Sequence, residues 1–194
     1  MIRSFVAIDL PDPIKQMLKS TGEQLRRQVP DKSVRWSRVE GIHLTLKFLG
    51  AVAEADLSDI KTTLAGVSRQ QAPFAFTVGG LGCFPNARRP RVLWVGVEEK
   101  SGALAALQRE VEHSLKPLGF DPERRSFHPH LTLGRTHKNV RATDQRRLGE
   151  IVAGTGLGEL GRVDVASFRL MRSDLRSDGA VYTTLAEFPL GGDV

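Results

Sequence analysis

Residues 43–46 read His43-Leu44-Thr45-Leu46, and the same four residues return 87 positions later as His130-Leu131-Thr132-Leu133. In an extended strand, side chains two apart share a face. His43 and Thr45 then point one way, Leu44 and Leu46 the other, and the second copy behaves alike. Each copy offers a polar pair to a cleft and a leucine pair to a core. The first copy runs on into Lys47-Phe48-Leu49-Gly50, the second into Gly134-Arg135-Thr136. A predicted helix precedes each copy and another follows it. The repeat predicts two similar lobes, each bringing one copy to a shared cleft. Outside these residues the two halves show no similarity that aligns by eye.

Working outward, residues 2–10 read as a strand closed by Pro11. A helix follows, capped by Asp12, with Pro13 first and Ile14, Met17, Leu18 and Leu25 on one face. Short strands are expected at 33–37 and 42–49, a helix over 53–67, and a strand over 73–81. Glycine and proline mark 79–86 as a loop. A strand at 92–97 leads to a helix over 101–118, ended by Pro117 and Gly119. A strand at 128–133 carries the second copy, and an Arg-rich segment over 138–151 reads as a short helix. Two strands close the chain, near 163–171 and 181–189, joined by an Asp178-Gly179 turn. Strands and helices mix without strict alternation. The expected fold class is α+β: one bilobal domain over 1–194, two pseudo-symmetric lobes, largely antiparallel sheets flanked by helices, and the cleft between them.

Composition narrows the partner. The chain has 194 residues, 40% hydrophobic and 26% charged, with a net charge of +6. A pI near 9.9 favours an anionic partner, nucleic acid first. The single cysteine, Cys83, excludes an intramolecular disulfide framework and a multi-cysteine metal site. It fits a reducing compartment, so a cytoplasmic location is expected. The apolar start is cut short by Asp9 and Pro11, unlike a signal segment, and no stretch suits a membrane span.

Two imidazoles and two hydroxyls in one cleft suit cleavage of a phosphodiester by water. With an unperturbed pKa of about 6.5, one imidazole can be neutral and take a proton while the other is charged and gives one. Threonine hydroxyls can donate to the non-bridging phosphate oxygens. No metal or cofactor is required, and no carboxylate–histidine cluster of the two-metal kind is visible. A lone His-Leu-Thr-Leu would usually be a strand with a satisfied histidine. Leucine alternation does not explain a second His and Thr in a chain with only five histidines.

The paired segments resemble the 2H phosphoesterase superfamily, named for its two His-x-Thr/Ser-x motifs. The likeness is closer still to the bacterial and archaeal RNA 2',3'-cyclic phosphodiesterases, first described as 2'-5' RNA ligases. It rests on Phe5-Val6-Ala7-Ile8-Asp9-Leu10-Pro11, Val34-Arg35-Trp36, His43 to Gly50, Gly80 to Pro85, Arg89 to Trp94, Phe127 to Arg135, and Tyr182-Thr183-Thr184-Leu185. Gly41-Ile42 stands where that family usually has Asn-Leu. The resemblance implies a bilobal α+β fold and hydrolysis of a 2',3'-cyclic phosphate on RNA to a 2'-phosphate. By family position, His43 would be the proton donor, His130 the proton acceptor, and Thr45 and Thr132 the phosphate binders. The pseudo-symmetry itself does not assign the two histidine roles. The expected partners are RNA with cyclic phosphate ends, tRNA fragments or small cyclic nucleotides, met by a monomer.

Phe48 and Arg135 each stand five positions after their histidine. Plain strand parity turns both away from the cleft, although Gly134 and the strand end near Gly50 could break it. The family likeness places both around the nucleobase, as substrate-binding residues. Lys47 shares parity with His43 and would face the phosphate or lie solvated at the rim. Arg88, Arg89, Arg91, Arg124 and Arg125 form basic loops suited to an RNA backbone. His128 alternates with His130, His113 and His137 read as surface, and Trp36, Trp94 and Tyr182 as core or cleft wall. Three other readings stay open: an ATP-independent 2'-5' ligase using the same site, a non-catalytic RNA-end binder, and a zinc site of His43, His128 and His130.

Overall fold

The computed structural model describes residues 1–176 and 179–191. The strands are β1 (Ile2–Ile8), β2 (Val34–Trp36), β3 (Leu44–Val52), β4 (Phe74–Phe84), β5 (Val92–Glu98), β6 (His130–Thr136), β7 (Glu159–Val165), β8 (Ser167–Arg176) and β9 (Gly179–Pro189). The helices are α1 (Asp12–Arg26), α2 (Leu57–Arg69), α3 (Ala103–Leu115) and α4 (Ala142–Gly154). All strands described join one sheet in the order β7-β4-β5-β6-β3-β1-β8-β9, with β2 added beside β6. Every neighbouring pair runs antiparallel. The two expected lobe sheets are therefore continuous, and their seam is the pair β3–β6.

That seam has a particular register. β3 and β6 meet at Leu44 opposite Leu131, the same position of the two repeated tetrapeptides. An antiparallel pair that matches a residue with its own repeat counterpart is a local pseudo-twofold axis. On either side of it, β1 pairs with β3 as β5 pairs with β6, and β8 pairs with β1 as β4 pairs with β5. All four motif leucines are buried in one large apolar cluster. Ile60, Leu64 and Val67 of α2 and Leu104, Leu107, Val111 and Leu115 of α3 cover them. These helical residues recur at the spacing of one apolar face. Fully burying one such side chain contributes roughly 1.5–3 kcal/mol. The opposite face of the seam stays open, with the polar halves of both motifs on it.

Several expected boundaries move. The stretch 79–86 is not a loop: β4 runs through Phe84. A bulge at Gly80, where φ is +69°, lets the strand continue past its register break against β5. Gly82 is small because a Cβ there would sit 2.3 Å from the Trp94 ring. The strand expected near 163–171 is two strands, β7 and β8, separated at Ala166 and lying far apart in the sheet. Helix α1 is capped by Pro11 with Asp12 already inside it, and Met17 is exposed. Helix α2 starts four residues later than expected, behind a single 3-10 turn at Glu54–Asp56. Strand β6 starts at His130, so His128 lies outside it. The expected Asp178-Gly179 turn involves Asp178, outside the described residues.

Candidate active site

At the axis, Leu44 and Leu131 point into the core, so their neighbours point out on the other face. His43, Thr45, His130 and Thr132 therefore share one face of one sheet, each half-buried. Extending the register by one residue sets His43 across from Thr132 and Thr45 across from His130.

The two histidines are held in the same way. His43 Nδ1 donates to the Gly41 carbonyl at 2.7 Å, and His130 Nδ1 donates to the His128 carbonyl at 2.6 Å. A carbonyl can only accept, so in the neutral ring the proton sits on Nδ1 and Nε2 is the free lone pair. Once protonated, each ring offers Nε2–H instead. Aromatic rings fix both imidazoles from the side. Phe5 stacks on His43 at 4.6 Å and Tyr182 meets it edge-on at 5.0 Å. Phe84 meets His130 edge-on at 4.9 Å, with Trp94 at 6.3 Å.

Their charges are tuned unequally. Burial pushes the His43 pKa below its ordinary value of 6.5, while the Gly41 hydrogen bond and the Asp9 carboxylate pull it back up and Lys15 opposes them. Burial also pushes His130 down; its hydrogen bond to His128 opposes this, but the Arg135 guanidinium and the His128 ring push it further down. Asp9 itself bonds Lys15 at 2.8 Å and Arg169 at 2.5 Å. Burial would raise the Asp9 pKa, but Lys15, the Leu10 amide and Arg169 hold it below the usual range.

A shared backbone irregularity settles where the next residues go. In β3, Lys47 pairs with Val6 and Thr45 with Ala7, so Leu46 is skipped. In β6, Gly134 pairs with Leu93 and Thr132 with Trp94, so Leu133 is skipped. Each motif thus carries a bulge at its last leucine, which flips the parity of all that follows. Phe48, 68% exposed, and Arg135, also exposed, turn to the cleft face, against plain parity. Phe48 lies 6.1 Å from the Phe5 ring that stacks on His43.

The same flip removes Lys47 from the cleft. It is 5% exposed, in place of the phosphate contact or solvated rim position that plain parity predicts. Its Nζ pairs with Glu112 of α3 and donates to the Asp121 carbonyl at 2.8 Å. Glu112 also accepts from Gln108 at 3.1 Å and from the Glu123 amide at 3.3 Å. This buried knot ties the first motif to the segment that leads into His130.

His128 contributes its carbonyl, and its exposed ring lies 6.3 Å from Phe84. Among the described residues no three His, Cys, Asp or Glu side chains form a group fit to hold a metal, so His43, His128 and His130 do not assemble one. His113, His137, Arg88, Arg89, Arg124 and Arg125 are exposed. Tyr182 is cleft wall. Sequence reasoning missed Phe5, Phe84 and Asp9 as neighbours of the histidines. The polar Asp9 at the end of an apolar strand is the signal that marks it.

Two histidines bonded through Nδ1 and two threonines thus face each other across a pseudo-twofold seam. The chain belongs to the LigT like Phosphoesterase family, which it matches twice, over residues 8–94 and 95–182. The two matches start 87 residues apart, the same interval as the histidines. Relatives named RNA 2',3'-cyclic phosphodiesterase include one from Aquifex aeolicus, 32% identical over 99% of both chains. Another, from Archaeoglobus fulgidus, is 37% identical over 96% of this chain and 99% of its own. Among solved structures, TT0787 of Thermus thermophilus superposes with a TM-score of 0.81 at 27% identity, over 99% of this chain and 100% of that one. E. coli LigT complexed with 3'-AMP superposes at 0.74 and 26% identity, over 97% and 98%. No described helix is long and apolar enough to cross a membrane.

Proposed function

We propose that the chain hydrolyses the 2',3'-cyclic phosphate end of RNA to a 2'-phosphate. The observation that carries this is the matched pair of Nδ1-to-carbonyl bonds, which leave two Nε2 atoms for proton transfer on one face of the sheet. Relatives named for this activity across almost the whole chain supply the substrate.

Neutral His130 Nε2 takes a proton from water as the water oxygen bonds to phosphorus. The bond from phosphorus to the 3' oxygen breaks, and protonated His43 gives its Nε2 proton to that oxygen. The 2' oxygen keeps the phosphate. Thr45 and Thr132 donate to the non-bridging oxygens, where charge must be held as the new bond forms. The neighbours support this division. Around His43 the Asp9 carboxylate favours the charged ring and Lys15 opposes it, whereas around His130 both neighbours, Arg135 and the His128 ring, favour the neutral ring. Phe48 offers an exposed aromatic face for the terminal base, and Arg135 an exposed cation beside His130.

All four groups come from the chain, so turnover is expected to persist in excess EDTA. The test is a cyclic-phosphate-ended RNA followed to product. A 2'-phosphate supports the proposal; a 3'-phosphate, or no turnover, overturns it.

A further inference from the structure

One cavity lies outside the four-residue site, with Arg135 of β6 in its lining. It is a groove of about 1240 Å³ between β2, β6 and the amino end of α4. That exceeds the roughly 300–1,000 Å³ of a typical small-molecule cleft. Its walls carry Lys32, Arg35, Arg91, Arg135, Lys138 and Arg141. Only two carboxylates, Asp31 and Asp144, join them there. Among the described residues none of the six cations forms an ion pair.

Two features make this more than a solvated basic surface. Arg35 of β2 is paired directly with Arg135 of β6, so two guanidinium side chains stand side by side on one face. Like charges directly opposite in a sheet are destabilising. A sheet that keeps such a pair without a carboxylate gains from an anion laid across it. The second feature is Ser33. It is 2% exposed in the groove wall, and its hydroxyl has no hydrogen-bond partner among the described residues. A buried hydroxyl without a partner is costly. Helix α4 also begins here without a side-chain cap, so the positive end of its dipole adds to the field.

We infer that this groove binds the phosphate backbone of the RNA strand on the 5' side of the reacting end. The inference rests on the proposed hydrolysis of a cyclic phosphate end. That end is the 3' terminus of its strand, so the polymer can leave the site only in the 5' direction. Arg135 belongs to both places: it flanks His130 and forms the near wall of the groove. A strand leaving the cleft past Arg135 meets Arg35 next across the sheet, then Lys138 and Arg141. The contacts are to phosphate, so the groove holds RNA without reading its sequence.

The experiment measures binding and turnover separately. Binding of a fluorescent single-stranded RNA ending in a 3'-phosphate is followed by anisotropy across a salt series. Wild type, the double variant R35Q/R141Q and the charge-keeping R35K/R141K are compared, with thermal melting to confirm folding. Removing two phosphate contacts from a single strand should lower the slope of log K against log salt by roughly 1.4. The Lys variant should keep the slope. In parallel, kcat/KM is measured for a cyclic-phosphate oligonucleotide and for a cyclic mononucleotide. Wild type should favour the oligonucleotide, and R35Q/R141Q should lose that preference. Equal slopes in wild type and R35Q/R141Q, or hydrolysis of both substrates by wild type without preference, overturn the groove. If neither substrate is hydrolysed but the slope still falls in R35Q/R141Q, the hydrolytic reading fails and the groove stands.

Discussion

The half around His43 and the half around His130 share a backbone almost position for position, and differ in what surrounds it. Both have a histidine pinned through Nδ1, a threonine two residues on, and a bulge at the following leucine. The register makes Lys47 the counterpart of Gly134 and Phe48 of Arg135, and extended by one residue it matches Asp9 with Gly96. One half has a carboxylate near its imidazole, the other a guanidinium. One half buries a lysine, while the other has a glycine at which a Cβ would lie 2.7 Å from Val34. The fold supplies two equal positions, and the side chains around the motifs make them unequal.

The largest effects should appear where the halves are alike. His43→Ala and His130→Ala should each lower kcat by about 10²–10⁴-fold, with unchanged urea midpoints. A wild-type rate in either variant would break the equivalence. Next come the positions where the halves diverge inside the protein. Lys47→Met leaves Glu112 buried without its partner and should cost about 3–5 kcal/mol in urea unfolding. Gly134→Ala presses on Val34 and the Arg35 carbonyl, and should cost about 1–3 kcal/mol. Equal, negligible losses would show that neither device supports the seam. Phe48→Ala should then weaken substrate binding by about 1–3 kcal/mol, seen mainly in KM. An unchanged KM would remove Phe48 from the base site.

The smallest effects are in the pH profile, and they have opposite signs. In kcat/KM the acidic limb marks protonation of the base and the alkaline limb deprotonation of the acid. Both histidines have lowered pKa values, so the free-enzyme bell should lie towards the acidic side of an unshifted pair. Asp9→Asn removes a charge that raises the His43 pKa, so the alkaline limb should move to lower pH. Arg135→Gln removes a charge that lowers the His130 pKa, so the acidic limb should move to higher pH. If both variants move the same limb, the unequal tuning is wrong.

Much of this was legible in the sequence. A strict period of two fixes which side of the seam His43, Thr45, Leu44 and Leu46 occupy, and the repeat implies the second copy and the pseudo-axis. What was not legible comes from bulges. Leu46 looks like an ordinary strand residue with neither Gly nor Pro beside it, and only the following Gly134 hints at the skip of Leu133. Plain parity then misplaces Lys47, Phe48 and Arg135 together. Gly80 is the reverse case: a glycine that serves a bulge inside β4 reads as a loop. The split between β7 and β8 did leave a trace. The buried residues step from Val163 and Val165 to Phe168 and Leu170, a parity break at Ala166. The Lys47–Glu112 pair joins residues 65 apart in sequence, and no local pattern announces it.

The central claim is that two equal positions divide one proton relay. It is tested most directly by replacing the 3' bridging oxygen of the cyclic phosphate with sulfur. A thiol has a pKa of about 8.5, so a thiolate departs without the proton an alkoxide needs. The account predicts that His43→Ala approaches the wild-type rate on this substrate while His130→Ala stays impaired. Equal rescue of both variants, or rescue of His130→Ala alone, would contradict it.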